Sequence, residues 1–416
     1  MKIIPRHALK RLERLWGAFP AVAVTGARQV GKSTLVLEFI KKHPRIKYYS
    51  LDDRATLDAA TADPDGFLSR LDVPVAIDEV QRVPDLMRAI KVIVDRNRRP
   101  GMFLLTGSAH LLSLRRLSET LAGRMAILEL LPFSLSEIEI KPPPDILKAL
   151  FGKNPSPYLL NLSGRGKRNL DEQILRGMMP IPAFMKDAGL RLAWFESYRQ
   201  TYTERDLRDL SQIENLPAFS RLVTMSALRT GQVINLAGLA RDLAVSPVMV
   251  RRYLDLLELT CQVNLLAPFF INIGKRLVKS AKLYMMDTGM AAAIIGVNDW
   301  KTGERLGYTG QLLETWAYQE LRKLALLSES PTRIYFWRTH AGAEIDFVLE
   351  QGAKLVAIEV KTTVKISSRD IRSLKQFFHD FKTRANAAVI IYGGTEVVPL
   401  AERIWAVPIA QFFSTA

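Results

Sequence analysis

Eight consecutive residues, Gly26-Ala27-Arg28-Gln29-Val30-Gly31-Lys32-Ser33, have the types and spacing of a phosphate cradle. The two glycines let the backbone curl so that its N–H groups point inward at phosphate oxygens. A helix opening at the second glycine adds partial positive charge from its N-terminus. Lys32 can then reach the β- and γ-phosphates of ATP, and the Ser33 hydroxyl can ligate Mg²⁺. With Thr34, residues 26–34 are the expected nucleotide-binding run. Such a loop needs an acidic partner, and Pro74-Val-Ala-Ile-Asp78-Glu79 supplies one. Asp78 is expected to hold the Mg²⁺ and Glu79 to polarise the attacking water as general base. In Phe103-Leu-Leu-Thr106-Gly-Ser108, the hydroxyl of Thr106 or Ser108 can sense the γ-phosphate. Arg124, in Leu121-Ala-Gly-Arg124, can stabilise charge in its own site or, as a finger, in a neighbour's.

A second set of chemistry-bearing residues lies near the C-terminus, in EIDFVLEQGAKLVAIEVKTT over 344–363. Asp346 opens one strand and Glu359 and Lys361 lie on the next, where alternation puts them on one face. A hairpin through Gln351-Gly352-Ala353 brings Asp346 beside Glu359, and an upstream helix offers Glu314. Converging carboxylates with a lysine can hold Mg²⁺ and polarise a water against a phosphodiester. The same set can equally belong to a scaffold that grips DNA without cutting it.

Two further segments have the types for binding DNA. Residues 235–257 read as two helices, with Ser246 capping the second and Pro247 in its first turn. Val250, Leu254 and Leu257 are expected inside, leaving Met249, Arg251 and Arg252 facing a major groove. Lys275, Arg276, Lys279 and Lys282 form a cation row without an acid, suited to phosphate backbone of any sequence.

The elements that must position these residues follow from the pattern. AVAVTG, KYYSLDD, VPVAID, GMFLLTGS and AILELL read as five strands with helices between them, so the N-terminal part is α/β with a parallel sheet. Residues 1–20 read as a basic amphipathic helix. KPPPD and KNPSP mark a boundary, 165–265 is mostly helical, and from Gly310 the order is helix, strand, strand, helix, strand. The expected domains are 1–145, 146–215, 216–300 and 301–416.

Composition narrows the partners. Lys and Arg number 58 against 42 Asp and Glu, a net charge of +16, which points to nucleic acid or an anionic surface. The single cysteine, Cys261, excludes an intramolecular disulfide and a cysteine zinc cluster; its apolar surroundings predict a small core residue. The charged N-terminus lacks a signal-peptide core, and the uncharged run Leu259–Gly274 is too short to span a bilayer. A cytoplasmic protein without a membrane partner is expected.

GARQVGKSTL, IDEVQRVPDL, LLTGSAHLL, LAGRM and LLPFSLSE resemble predicted prokaryotic AAA+ ATPases with a C-terminal extension. WFESYRQTYTERDLRDL, VNLLAPFFINIGKRLVKSAKLYMMDTGMAA and GQLLETWAYQEL are similar to that family in the same order, so the resemblance spans nearly the whole chain. It implies an AAA+ domain, a helical and winged-helix region, and an α/β domain of the PD-(D/E)XK, restriction-endonuclease-like fold. Gly342-Ala343-Glu344-Ile345 departs from that pattern, which usually has a proline before the aspartate. The resemblance also implies a homo-oligomeric ring, expected as a hexamer. Three functions fit the sequence: an ATP-driven motor on duplex or branched DNA, including branch migration in recombination or repair; a nucleotide-gated switch in defence or signalling with a nuclease-like effector; or an ATPase acting on protein partners.

Overall fold

A computed structural model describes residues 3–107, 121–162, 170–201, 213–272, 274, 276, 279–339 and 341–415. The chain divides into two compact units: Met1–Pro132 with Leu256–Gln262, and Phe133–Asp255 with Val263–Ala416.

The first unit is built on the five strands expected: β1 (Ala21–Thr25), β2 (Lys47–Ser50), β3 (Val75–Asp78), β4 (Phe103–Thr106) and β5 (Met125–Glu129). Their order is β2-β3-β4-β1-β5, and every neighbouring pair is parallel. All five residues of β1 are buried, as are all four of β3 and of β4, because helices cover both faces of a parallel sheet. Helix Leu86–Arg96 turns Leu86, Ile90 and Val94, spaced four apart, into the core beside Ile77 and Leu105. Each such buried side chain contributes roughly 1.5–3 kcal/mol. The N-terminal helix is shorter than expected, Ala8–Trp16, and Gly17 follows it.

In the second unit, β6 (Gln232–Val233), β7 (Val263–Leu266) and β8 (Lys282–Met285) form a small antiparallel sheet with β8 in the middle. Helices Leu236–Leu243 and Pro247–Leu259 fall where the sequence puts them. The Asn235 side chain accepts from the Gly238 N–H at 3.0 Å, and Ser246 Oγ from the Met249 N–H at 3.2 Å. These caps satisfy amides that the helix itself leaves unpaired. Between the two helices Ala244 turns the chain with φ +55°.

The C-terminal sheet has six strands where three were expected. β9 (Arg333–Arg338), β10 (Glu344–Gln351), β11 (Lys354–Lys361), β12 (Ala385–Tyr392), β13 (Val398–Ala401) and β14 (Ile404–Pro408) take the order β13-β14-β12-β11-β10-β9. β9, β10 and β11 are antiparallel, whereas β11, β12 and β14 are parallel, so the sheet is mixed. Helix Arg372–Phe381 buries Leu374, Phe377 and Phe381 against it.

Long-range hydrogen bonds tie the start of this unit to its middle. The buried Lys323 ammonium donates to the Phe133 carbonyl at 2.7 Å, and Glu320 accepts from the Leu135 N–H at 3.0 Å. Asp287 caps helix Thr288–Ile295 and also accepts from the N–H groups of Met178 and Met179.

Candidate nucleotide site and a second carboxylate centre

The loop after β1 takes backbone conformations that side chains oppose. Gly26 has φ +145°, and a Cβ there would lie 2.3 Å from the Leu130 carbonyl oxygen. Gly31 has φ +98° and opens helix Lys32–Lys42 with no side chain capping it. The first amides of that helix thus have no side-chain acceptor, which is the donor geometry an anion uses. Ala27 and Val30 are buried, Arg28 is half-buried, and Gln29, with φ +58°, and Thr34 are exposed. Arg6 fastens the loop from outside, donating to the carbonyls of Val30, at 3.0 Å, and Leu131.

Lys32 points back into the loop. Its Nζ donates to the carbonyls of Ala27 at 2.9 Å and Gly26 at 3.2 Å. Burial lowers its pKa below the ordinary lysine value, while Glu79 works in the opposite direction. A phosphate here would meet a desolvated ammonium, so their attraction is less screened than at the surface.

Asp78 ends β3 as the hub of a hydroxyl cluster. It accepts from Ser33 Oγ at 3.1 and 3.2 Å, from Tyr48 Oη at 2.7 Å and from Thr106 Oγ1. Glu79 follows in the left-handed region, φ +58°, its N–H donating to Thr106 Oγ1 at 3.2 Å and its carboxylate accepting from Gln81. Thr106, fully buried at the end of β4, thus orients both acids. Hydroxyl and carboxylate oxygens are the hard donors Mg²⁺ prefers. Ser33 and Asp78 fit that ion, and residues 26–34 fit a nucleotide's phosphates. Tyr48 and Arg6 were not foreseen. Tyr48 lies in a strand whose sequence gives no hint of its acidic neighbour, and Arg6 looks like one cation among many. Ser108 lies outside the described residues.

Arg124 is at the other end of the sheet. Its carbonyl accepts from the N–H of Ala21, the first residue of β1, whereas the loop follows the last. Four strand residues at about 3.3 Å each separate these ends. The expectation that Arg124 acts in its own site is therefore corrected; its guanidinium pairs with Asp95.

The second unit holds another charged centre. Glu344 and Asp346 alternate on β10 and so share a face. Asp346 lies one position beyond the Phe347–Ile358 pair, and its N–H reaches Glu359 Oε2 at 3.4 Å. Lys361 donates to Glu359 at 2.7 Å, and the Val360 N–H to Asp346 Oδ2 at 2.9 Å. Glu314 arrives from helix Thr309–Leu327 and accepts from Tyr284 at 2.6 Å. At the middle stands Lys282, its side chain 4% exposed. Its Nζ lies 2.8 Å from Glu344, 3.2 Å from Glu314 and 3.5 Å from Asp346. Burial opposes its charge, but the three carboxylates outweigh burial and raise its pKa. Burial, then Asp346, pushes Glu359 up to about 8 and Glu314 up to about 7.

Two expectations about this centre are corrected here, and a third, about Cys261, elsewhere in the chain. The cation row does not face solvent as a whole. Lys282 is buried among carboxylates, and Arg276 forms a buried pair with Glu350 at 2.9 Å while lying over the rings of Phe269 and Tyr335. Lys282 is not free to meet a phosphate, since leaving buried partner charges unpaired costs several kcal/mol, roughly 3–5, and Arg276 is already engaged by Glu350 and by two rings. Lys279 is exposed, and Lys275 lies outside the described residues. The second correction concerns Mg²⁺ held by Glu314, Asp346 and Glu359 with Lys361. Mg²⁺ demands an octahedral shell of oxygens. Here an ammonium sits between Glu314 and Asp346, and both Asp346 oxygens are engaged. Among the described residues, no group of three acidic, histidine or cysteine side chains has metal-holding geometry. Cys261 is half-buried with φ +56°, not the core residue expected.

Arg251 and Arg252 are exposed on helix Pro247–Leu259, with Val250 and Leu254 buried behind them. Arg251 pairs with Asp255 and Arg252 with Glu214, each at 3.0 Å. Met249 is half-buried. No helix among the described residues is long and apolar enough to cross a membrane.

Comparison with known proteins agrees with this geometry for the first unit. Residues 18–139 match the family model described as AAA domain. Residues 167–301 and 309–412 match two domains of unknown function, DUF8612 and DUF4143. Among solved structures, the chain is similar to a Walker-type ATPase of Pyrococcus abyssi at 16% identity, covering 70% of this chain and 96% of that one, with a TM-score of 0.44. A RuvB variant of Thermotoga maritima is 18% identical over 74% of this chain and 96% of its own, at a TM-score of 0.31. AMPPCP-bound DnaA from Aquifex aeolicus is 16% identical over 61% and 86%, at 0.28. Likenesses this distant say nothing of function. Two proteins are much nearer in sequence: the uncharacterized proteins Rv2008c of Mycobacterium tuberculosis and Mb2031c of Mycobacterium bovis. Each is 33% identical over 416 residues, covering 100% of this chain and 86% of the relative. The chain belongs to the family of these mycobacterial proteins, and its N-terminal unit is a P-loop, AAA-type ATPase domain.

Proposed function

We propose that the protein is an ATP-hydrolysing motor that binds Mg²⁺-ATP through residues 26–34, Ser33 and Asp78 and acts on duplex or branched DNA. The observation that carries the DNA reading is the exposed face of helix Pro247–Leu259. Val248, 79% exposed, and the exposed Arg251 and Arg252 lie on it, behind a Ser-capped turn and shortly before strand β7 in the chain. These features support a winged-helix reading in which the second helix meets a major groove. The ion pairs of these arginines are exposed and worth at most about 1 kcal/mol, so phosphate or guanine can displace them. The net charge of +16 favours the same partner. The C-terminal sheet, with Asp346 beside Glu359 on a hairpin, supports a nuclease-like fold acting as a grip. Arg124, placed away from its own loop, supports action on a neighbouring subunit's nucleotide in a ring. Branch migration is the most concrete form of this activity.

The test is the steady-state ATPase rate against duplex, single-stranded, forked and four-way DNA, with affinity measured across salt concentrations. Replacing Arg251 and Arg252 by alanine should weaken binding. The salt slope should become shallower by roughly 0.9 for each B-DNA phosphate that the variant no longer neutralises. An ATPase rate indifferent to every DNA form, with no salt-dependent binding, sinks the motor and leaves a nucleotide switch or a protein-directed ATPase.

A further inference from the structure

The carboxylate centre of the second unit contains its own positive ion. Lys282 does not belong to the hairpin that carries the carboxylates; it comes from β8 of the small sheet. Its ammonium has three protons to donate, and three carboxylates, from Glu314, Glu344 and Asp346, surround it within 3.5 Å. The match of three donors to three acceptors leaves the ammonium nothing to gain from water. The arrangement is also closed around it. Tyr284, two residues on along β8, donates to the same Glu314 oxygen that Lys282 engages. Asp346 Oδ2 is held by the Val360 N–H and Glu359 Oε1 by Lys361.

We propose that Lys282 is the resident cation of this centre, standing between Glu314 and Asp346, two of the carboxylates that the nuclease-like pattern would give a divalent metal, so that the protein binds no divalent ion there and cuts no phosphodiester. The inference goes beyond the proposed motor activity and does not depend on it. A metal ion would have to expel a buried, fully hydrogen-bonded ammonium, and expulsion would leave that charge without partners. A lysine serves the fold differently from an exchangeable ion. It offsets part of the carboxylates' negative charge permanently, is indifferent to chelators, and ties β8 to the hairpin and to helix Thr309–Leu327. An ordinary surface ion pair would do none of this, since removing it changes little.

The experiment counts bound Mn²⁺ by electron paramagnetic resonance on the full-length, nucleotide-free protein. The proteins compared are the parent, Asp346→Asn, Lys282→Gln, and the Lys282→Gln/Asp346→Asn double variant. Subtracting the Asp346→Asn value removes any Mn²⁺ held at the ATP site. The parent should show no Asp346-dependent Mn²⁺. Lys282→Gln should gain one Mn²⁺ per chain that the double variant loses, because a neutral amide frees the carboxylates. Circular dichroism and a parental ATPase rate establish that Lys282→Gln is folded. A folded Lys282→Gln protein that gains no Mn²⁺ overturns the proposal. So does a parent whose bound Mn²⁺ disappears in Asp346→Asn, and that comparison decides the matter even if Lys282→Gln does not fold.

Discussion

Single side chains divide the work of the nucleotide site, and each division can be measured. Lys32 folds its ammonium into the loop, with Gly26 and Ala27 carbonyls as its partners. Lys32→Ala should therefore lose ATP binding, read by fluorescent-nucleotide titration. Glu79 occupies a left-handed position steered by Thr106. Glu79→Gln should keep ATP bound and slow turnover by about 10²–10⁴, the usual value of a positioned general base; an unchanged rate would remove Glu79 from the chemistry. Gly26→Ala is a sharper steric test. The added methyl carbon would meet the Leu130 carbonyl at 2.3 Å, so the loop must move and nucleotide affinity should fall without loss of the folded sheet. At this scale the sequence was informative wherever neighbours in sequence act together, as in residues 26–34. It was silent on Tyr48, whose role depends on a partner in another strand, and misleading on Lys282. A lysine after Lys279-Ser-Ala reads as a solvated cation, and only carboxylates 32 and 64 residues away make it a buried one.

Secondary-structure elements were legible for a local reason. Strands β1, β3, β4 and β5 of the first sheet are short apolar runs ending in a polar residue, so their limits are written in the chain itself. The hairpin of β10 and β11 was equally readable, because Gly352 accepts φ +58° between two alternating runs. β13 and β14 were not, since VPLA and IWAVP contain prolines and are too short to show a period. Helix Leu86–Arg96 gives the element-scale prediction. Ile90 is fully buried between Leu86 and Val94. Ile90→Ala should cost about 2–5 kcal/mol, seen as a lower urea midpoint, because the space it leaves cannot collapse in a sheet covered on both faces. A midpoint within error of the parent's would mean that the helix packs loosely.

For the molecule as a whole, buried acids link stability to pH. Folding raises Glu359 from 4.5 to about 8 and Glu314 from 4.5 to about 7. An acid with a raised folded pKa binds its proton more tightly when folded, so its contribution is most favourable below about pH 4.5 and is lost as pH rises through its folded value. The second unit should therefore weaken between pH 4.5 and about 8, and Glu359→Gln should flatten that slope in thermal melts. A slope identical to the parent's would show that Glu359 is solvated. The clasps of this unit have a consequence for its biogenesis. Phe133 and Leu135 are held by Lys323 and Glu320, 190 and 185 residues later, and Met178 by Asp287. A ribosome adding roughly 5–20 residues per second needs on the order of 10–40 s to deliver those partners. During that interval the P-loop sheet has all five of its strands, while the segment from Phe133 onward still lacks the groups that will fasten it. Nascent chains stalled between Gln262 and Asp287 should accordingly be cut by protease after Pro132 more readily than within strands β1 to β5.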